Sequence, residues 1–145
     1  VALVNQIIGY FDGVFNGTGA GRWSLEAGCG WILRPLVWLM GISWIETEAV
    51  GRLMGLKTIL NEFVAYVQLA DQMNGAMPLS ERAFVITTYA LCGFANFGSV
   101  AIMIGGIGGI APERRGDLAR LGIRSLIGGT LSTMLTGAVI GLYTT

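Results

Sequence analysis

The feature that most constrains this chain is a run from Ala83 to Pro112 that holds no charged residue. A membrane-spanning helix needs about 20 mostly apolar residues, so the run is long enough to cross a bilayer. Its centre contains Asn96 between Gly93 and Gly98, and all three residues disfavour a continuous helix. A buried amide must also find hydrogen-bond partners in hydrocarbon. We therefore expect the helix to break near Asn96 and to present polar groups to a solute, as in many secondary transporters.

The composition is typical of a membrane protein. Of the 145 residues, 53% are hydrophobic and only 12% are charged, with a mean hydropathy of +0.65. A soluble domain holds roughly 25% charged residues. The formal net charge of +0 gives no reason to expect a nucleic-acid partner. The chain has no histidine, and Cys29 and Cys92 are far apart, so we expect no metal site, no catalytic residue and no enzyme.

The first part, residues 1–41, is expected to hold the end of a membrane helix, a polar glycine-rich loop and an interfacial helix. The last of these would begin after Ser24 as its cap, run to about Met40 and be kinked or split at Pro35. Its tryptophans favour the bilayer surface, although a short buried helix is the alternative. Because the apolar start has no basic region or cleavage site, we expect a fragment of a longer polypeptide rather than a signal peptide.

Residues 42–76 are expected to form a re-entrant helical hairpin, because charged residues interrupt every window of spanning length. The first arm would run from Ser43 to about Leu60, and the second from Phe63 to Leu69. The tip would lie near Asn61 and Glu62. Each arm need only reach the middle of the membrane, and irregular backbone is tolerated there if it lines a cavity.

Residues 77–145 are expected to hold the broken transmembrane helix, a basic cytoplasmic loop and a final transmembrane helix. Ser80 would cap the broken helix, which would run from Arg82 or Ala83 to Ala111 and end at Pro112. The final helix would be the uncharged stretch 125–145. The four arginines between these helices place their loop in the cytoplasm by the positive-inside rule, with binding of anionic lipid as an alternative role. The carboxy terminus and the mouth of the hairpin would then face outside.

Glu62 and Asn96 are the strongest candidates for contact with a solute. An ionisable side chain at bilayer depth costs at least about 2.5 kcal/mol on insertion scales, so Glu62 needs a partner, water or a function. The alternatives are an ion pair with Lys57 or a position at the membrane surface. Alternatively, Asn96 would form a hydrogen bond that holds two helices together, worth about 1 kcal/mol.

Two other patterns have simpler explanations than catalysis or nucleotide binding. Glu46 and Glu48 resemble a pair of catalytic carboxylates, but residues two apart point to different sides of a helix, so we expect charges at the hairpin mouth. Glycines spaced four residues apart favour close helix packing over a dinucleotide site. These pairs are Gly51 with Gly55, Gly105 with Gly109 and Gly137 with Gly141.

Three segments resemble the carboxy-terminal half of concentrative nucleoside transporters. They are Gly55–Tyr66, which reads GLKTILNEFVAY; Tyr89–Ser99, which reads YALCGFANFGS; and Ile104–Arg115, which reads IGGIGGIAPERR. Their order and approximate spacing match, and the resemblance covers nearly the whole chain. The segments NEFVAY and GFANF are far more specific than a glycine pattern.

The resemblance implies import of nucleosides, coupled to sodium or, in some bacterial members, to protons. It implies an all-α membrane protein that is one half of an inverted-repeat transporter. It also implies a homotrimer, located in the cell membrane and, for a bacterium, in the inner membrane. By its motifs, Glu62 would bond ribose hydroxyls at the hairpin tip, beside Asn61. Asn96 and Ser99 would bond the ribose from the broken helix, and Phe94 would lie beside the nucleoside.

The chain departs from the family pattern because it holds one hairpin and one broken helix. The hairpin that recognises the base and the sodium ligands belong to the other repeat, so the missing amino-terminal half is an expected partner and no cofactor or ion is expected on this chain. Alone, the chain would not transport. The alternative is a membrane scaffold or pore subunit in which Glu62 and Asn96 only hold helices together.

Overall fold

The computed structural model describes residues 3, 5–10 and 24–144, and this part of the chain is helical without a strand. The polar loop expected between the first two helices lies largely outside these residues. Residues 5–10 are helical, and six named helices follow, with a short 3-10 turn, Pro112–Arg114, before the last. They are α1 (Leu25–Leu39), α2 (Thr47–Ile59), α3 (Glu62–Met73), α4 (Glu81–Leu91), α5 (Phe97–Ile110) and α6 (Arg115–Tyr143).

Helix α1 confirms the predicted cap but not the predicted split. The Ser24 hydroxyl accepts a hydrogen bond from the Ala27 amide at 3.1 Å, which satisfies one of the free amides at the helix start. Pro35 lies inside the helix, and α1 continues through it to Leu39. A proline in a helix removes one backbone hydrogen bond, and the helix that contains it packs against α2.

Helices α2 and α3 are consecutive and meet at Leu60 and Asn61, where the hairpin tip was predicted. The second arm is longer than predicted, since α3 continues to Met73 rather than to Leu69. The two ends of this unit also meet, because the Ser80 amide donates to Oε1 of Glu46 at 2.7 Å. The residue before α2 and the residue that follows the loop after α3 are therefore in contact, and the two helices lie between them in the chain.

The predicted break near Asn96 separates α4 from α5. Helix α4 has 11 residues and α5 has 14, so neither reaches the roughly 20 residues of a plain span. Ser80 caps α4 as predicted, accepting from the Ala83 amide at 3.2 Å. Helix α5 ends at Ile110, and Pro112 begins the 3-10 turn that follows.

The predicted basic loop is wrong in its extent, because α6 begins at Arg115 rather than near Ser125. Arginine is a good helix former, so the arginines at 115, 120 and 124 extend the helix instead of interrupting it. Among the described residues, the segment Pro112–Tyr143 is the one long and apolar enough to cross a membrane by length and composition.

The core lies where α1, α2, α3, α4 and α6 meet, and its apolar side chains are nearly inaccessible. Those with the least exposure include Val37, Met54, Ile86 and Leu91. Close approach of backbones depends on glycine: a Cβ at Gly30 of α1 would lie 2.6 Å from the carbonyl oxygen of Gly51 on α2.

Glycine also packs α6 against α4. A Cβ at Gly137 would lie 3.0 Å from the carbonyl oxygen of Ile86, and one at Gly141 would lie 3.0 Å from the side chain of Ile86. The predicted packing role of Gly105 and Gly109 has no counterpart in the described part of the chain, where a Cβ at either meets no atom within 4 Å. Their open face is available to other parts of the polypeptide or to lipid.

Candidate functional site

Two helices begin at the candidate site, each capped by an asparagine. Oδ1 of Asn61 accepts from the Val64 amide at 2.9 Å and starts α3, and Oδ1 of Asn96 accepts from the Ser99 amide at 2.7 Å and starts α5. Asparagine is among the best capping residues because its short side chain reaches the free amides of the first turn. Asn96, which is unfavourable inside a helix, and Asn61 therefore mark where the two helices begin.

The amide of Asn96 joins the two helix starts. Its Nδ2 donates a hydrogen bond to Oε2 of Glu62 at 3.1 Å, across a sequence separation of 34 residues. Asn96 is buried, with only 3% of its surface exposed, whereas Glu62 is half-buried. Because the cap uses the oxygen of this amide, its nitrogen remains to bind the carboxylate.

The carboxylate of Glu62 retains hydrogen-bonding capacity. Within residues 24–144, its Oε1 has no hydrogen-bond partner, so one oxygen remains to accept from a bound molecule. Glu62 is also the first residue of α3, where the partial positive charge of a helix start favours a carboxylate. The site is therefore suited to a solute that offers hydroxyl or amino hydrogens.

The other predicted site residues lie close by along the chain, with different exposure. Ser99 is in the first turn of α5, where its amide is held by Asn96. Phe94 lies in the break and is 77% exposed. Asn61 is exposed, and its oxygen is occupied as the cap of α3. The structure thus joins Glu62, Asn96 and Ser99 by hydrogen bonds and leaves Phe94 at the open side of the break.

Lys57 is a residue whose place the sequence did not reveal. It is fully buried, and its Nζ donates to the carbonyl oxygen of Ala90 at 3.2 Å and to Oγ1 of Thr133 at 2.9 Å. The alternative ion pair between Lys57 and Glu62 does not form among the described residues. The sequence could not predict these contacts, because the partners of Lys57 are 33 and 76 residues away along the chain.

A separate cavity of about 830 Å³ opens at the mouth of the hairpin. It lies between the first turns of α2 and the last turns of α3, away from Glu62 and Asn96. Glu46 and Glu48 line this cavity. No group of three or more histidine, cysteine or acidic side chains in the described ranges could hold a metal ion.

Comparison with known proteins identifies the family. Residues 1–141 match the family model described as the Na+ dependent nucleoside transporter C-terminus. An uncharacterized transporter of Haemophilus influenzae is 43% identical over 99% of this chain and 35% of its own length. The structure of CNTnw in an inward-facing substrate-bound state is similar with a TM-score of 0.84 at 41% identity, covering 99% of this chain and 35% of that one. A doubly substituted CNTnw in an outward-facing state gives a TM-score of 0.82 at 41% identity, covering 99% and 34%.

The described part of the chain is helical, and its sequence and structure match membrane transporters. It belongs to the family of Na+ dependent nucleoside transporters, as the resemblance of its motifs indicated. The chain spans about a third of the length of the Haemophilus influenzae and Bacillus subtilis relatives and about a fifth of the length of the Mus musculus ones.

Proposed function

We propose that this chain is the ribose-binding half of a cotransporter that imports nucleosides across the cell membrane. The observation that carries the proposal is the 3.1 Å hydrogen bond between Asn96 and Glu62. It joins a carboxylate at the start of α3 to an amide at the start of α5. Family membership supplies the solute class. The geometry supplies the reason why these two residues, rather than other polar residues of the chain, would contact it.

The chemistry of the site fits a ribose. A ribose has neighbouring hydroxyls, and Oε1 of Glu62 can accept from them while Asn96 and Ser99 can bond the same sugar. Hydrogen bonds to a carboxylate are the stronger kind. A nucleoside without these hydroxyls would leave buried polar groups unpaired and bind poorly. Phe94, exposed in the break, would contact the flat face of the base.

The transport mechanism would be alternating access around this site. The paired helices α2 and α3 would form a re-entrant hairpin, and an inverted copy of hairpin and broken helix in the missing amino-terminal half would complete the pocket. Similar TM-scores to inward-facing and outward-facing CNTnw support a chain that keeps its shape while the whole transporter changes state. The coupling ion would be sodium, as the family description suggests, with its ligands in the other half.

A thermal-shift experiment on the complete purified protein tests the solute class. Uridine and adenosine are expected to raise the unfolding temperature, because a ligand bound only by the folded state stabilises it. The 2′,3′-dideoxynucleosides and the free bases should give much smaller shifts at the same concentration. Equal shifts for all of them, or none, would contradict a ribose site and favour the scaffold alternative.

The resemblance also supports a homotrimer in a bacterial inner membrane, with the end of α6 outside. Thr144→Cys, placed in the complete protein without its other cysteines, is expected to react with an impermeant maleimide in intact spheroplasts. Glu113→Cys, in the 3-10 turn just before the other end of α6, should react only after permeabilisation. Labelling in the reverse order would overturn the orientation.

A further inference from the structure

The carboxy-terminal end of α4 is held by side chains from both arms of the hairpin. A helix leaves its last four carbonyl groups without partners in the helix, and at a break inside a membrane water cannot satisfy all of them. In α4, the Thr88 carbonyl accepts from the Tyr66 hydroxyl at 2.7 Å, and the Ala90 carbonyl accepts from Nζ of Lys57 at 3.2 Å. Lys57 belongs to α2 and Tyr66 to α3, so each arm supplies one donor.

Lys57 is fully buried and has no ion-pair partner in the part of the chain that the structure describes. Burial of an unpaired ammonium is costly, and an apolar side chain of similar size would pack there at lower cost. Its compensation is the partial negative charge at the end of α4, together with Oγ1 of Thr133 on α6. The contact therefore joins α2, α4 and α6 at the break.

These contacts lie beside the two residues that would bind the solute. Glu62 follows Lys57 at the tip and precedes Tyr66 in α3, while Asn96 follows Ala90 across the non-helical break. The break itself has few backbone hydrogen bonds, namely Cys92 N to Tyr89 O at 3.2 Å and Asn96 N to Phe94 O at 3.1 Å. The position of Asn96 relative to Glu62 thus depends on how firmly the end of α4 is fixed against the hairpin.

We propose that Lys57 and Tyr66 are positioning residues of the nucleoside site. They hold the end of α4 against both arms and thereby keep the Asn96 amide at hydrogen-bond distance from the Glu62 carboxylate. This inference rests on the proposed function, because it assigns the two residues to the same ribose site. Misplacement of a polar group by about 1 Å can cost a factor of about 100 in a preorganised site, so loss of these contacts would weaken recognition without removing a solute contact.

Uptake kinetics of Tyr66→Phe and Lys57→Met in the complete transporter test the proposal. Tyr66→Phe removes one hydroxyl and keeps the ring, and it is expected to raise KM for uridine by about three- to tenfold at equal surface expression. Lys57→Met should raise KM by at least about tenfold, since it removes two hydrogen bonds. Matched controls are Tyr143→Phe, an exposed tyrosine on α6, and Arg52→Met, an exposed cation on α2, which should keep the parent KM.

Discrimination between uridine and 2′,3′-dideoxyuridine separates positioning from mere stability. Both variants should lower the ratio of the two inhibition constants, and Tyr66→Phe should add little to a Glu62→Gln background because both changes act on the same contact. An unchanged ratio in Tyr66→Phe would overturn the inference, even if Lys57→Met fails to fold. A parent transporter that does not discriminate would instead refute the ribose site itself.

Discussion

Replacement of Glu62 by glutamine in the complete transporter is expected to lower the initial rate of concentrative uridine uptake by at least about 100-fold. A hydrogen bond to a charged group contributes about 1.5–3 kcal/mol, and two ribose hydroxyls would each lose such a bond. Since each 1.4 kcal/mol corresponds to about a factor of ten, the combined loss reaches about 100-fold. Glutamine retains an oxygen that can accept from Asn96, so the hairpin tip should keep its structure. Uptake of labelled uridine into vesicles at matched expression measures the effect.

Two further variants show whether the effect is specific to this carboxylate. Glu48→Gln removes an exposed carboxylate at the hairpin mouth, whose contact with Arg34 is 3.9 Å, and should keep the parent uptake rate. Ser99→Ala removes a neutral hydroxyl and should lower uptake by only about fivefold. Parent-like uptake by Glu62→Gln, or an equal loss in Glu48→Gln, would contradict the assignment of the site.

Replacement of Gly30 by alanine is expected to lower the thermal stability of the purified transporter strongly. The new Cβ would lie 2.6 Å from the carbonyl oxygen of Gly51. Because this neighbour is a backbone atom, no flexible side chain can move aside. Separation of α1 from α2 would cost about 1–3 kcal/mol or more, as overpacking does elsewhere. Thermal unfolding in detergent, followed by the unfolding midpoint, measures the loss.

Gly28→Ala is the matched control on the same helix. A Cβ at Gly28 meets no atom within 4 Å, and alanine is a better helix former than glycine by about 1 kcal/mol. Its midpoint should therefore stay the same or rise, opposite in direction to that of Gly30→Ala. If the two variants shift the midpoint equally, the close approach of α1 and α2 is wrong.

The sequence predicted those parts of the fold that depend on local chemistry. Ser24 and Ser80 cap helices as expected, and the break near Asn96 follows from poor helix formers inside an apolar run. The predicted split at Pro35 does not occur, since the helix continues through this residue to Leu39. The start of α6 at Arg115 was missed because charge was taken as a sign of a loop, although arginine also favours helix.

The sequence singled out candidate residues for a site but did not predict the contacts between them. Glu62 and Asn96 stood out because polar groups in apolar segments need a reason, and the resemblance assigned them a ribose. Their direct hydrogen bond spans 34 residues, and no local spacing predicts such a pair. The same holds for Lys57, whose bond to Thr133 spans 76 residues and depends on how α6 folds back.

The divided use of the Asn96 amide has a consequence for how such a protein can diverge. Its oxygen caps the start of α5 and its nitrogen donates to Glu62, so the two hydrogen bonds use different atoms of one side chain. If Glu62 binds the solute as proposed, a change at position 62 would alter which solute is recognised while the start of α5 at Asn96 would remain intact. Under that proposal, selection or engineering could change the solute through position 62 without rebuilding the scaffold, provided that asparagine is kept at position 96.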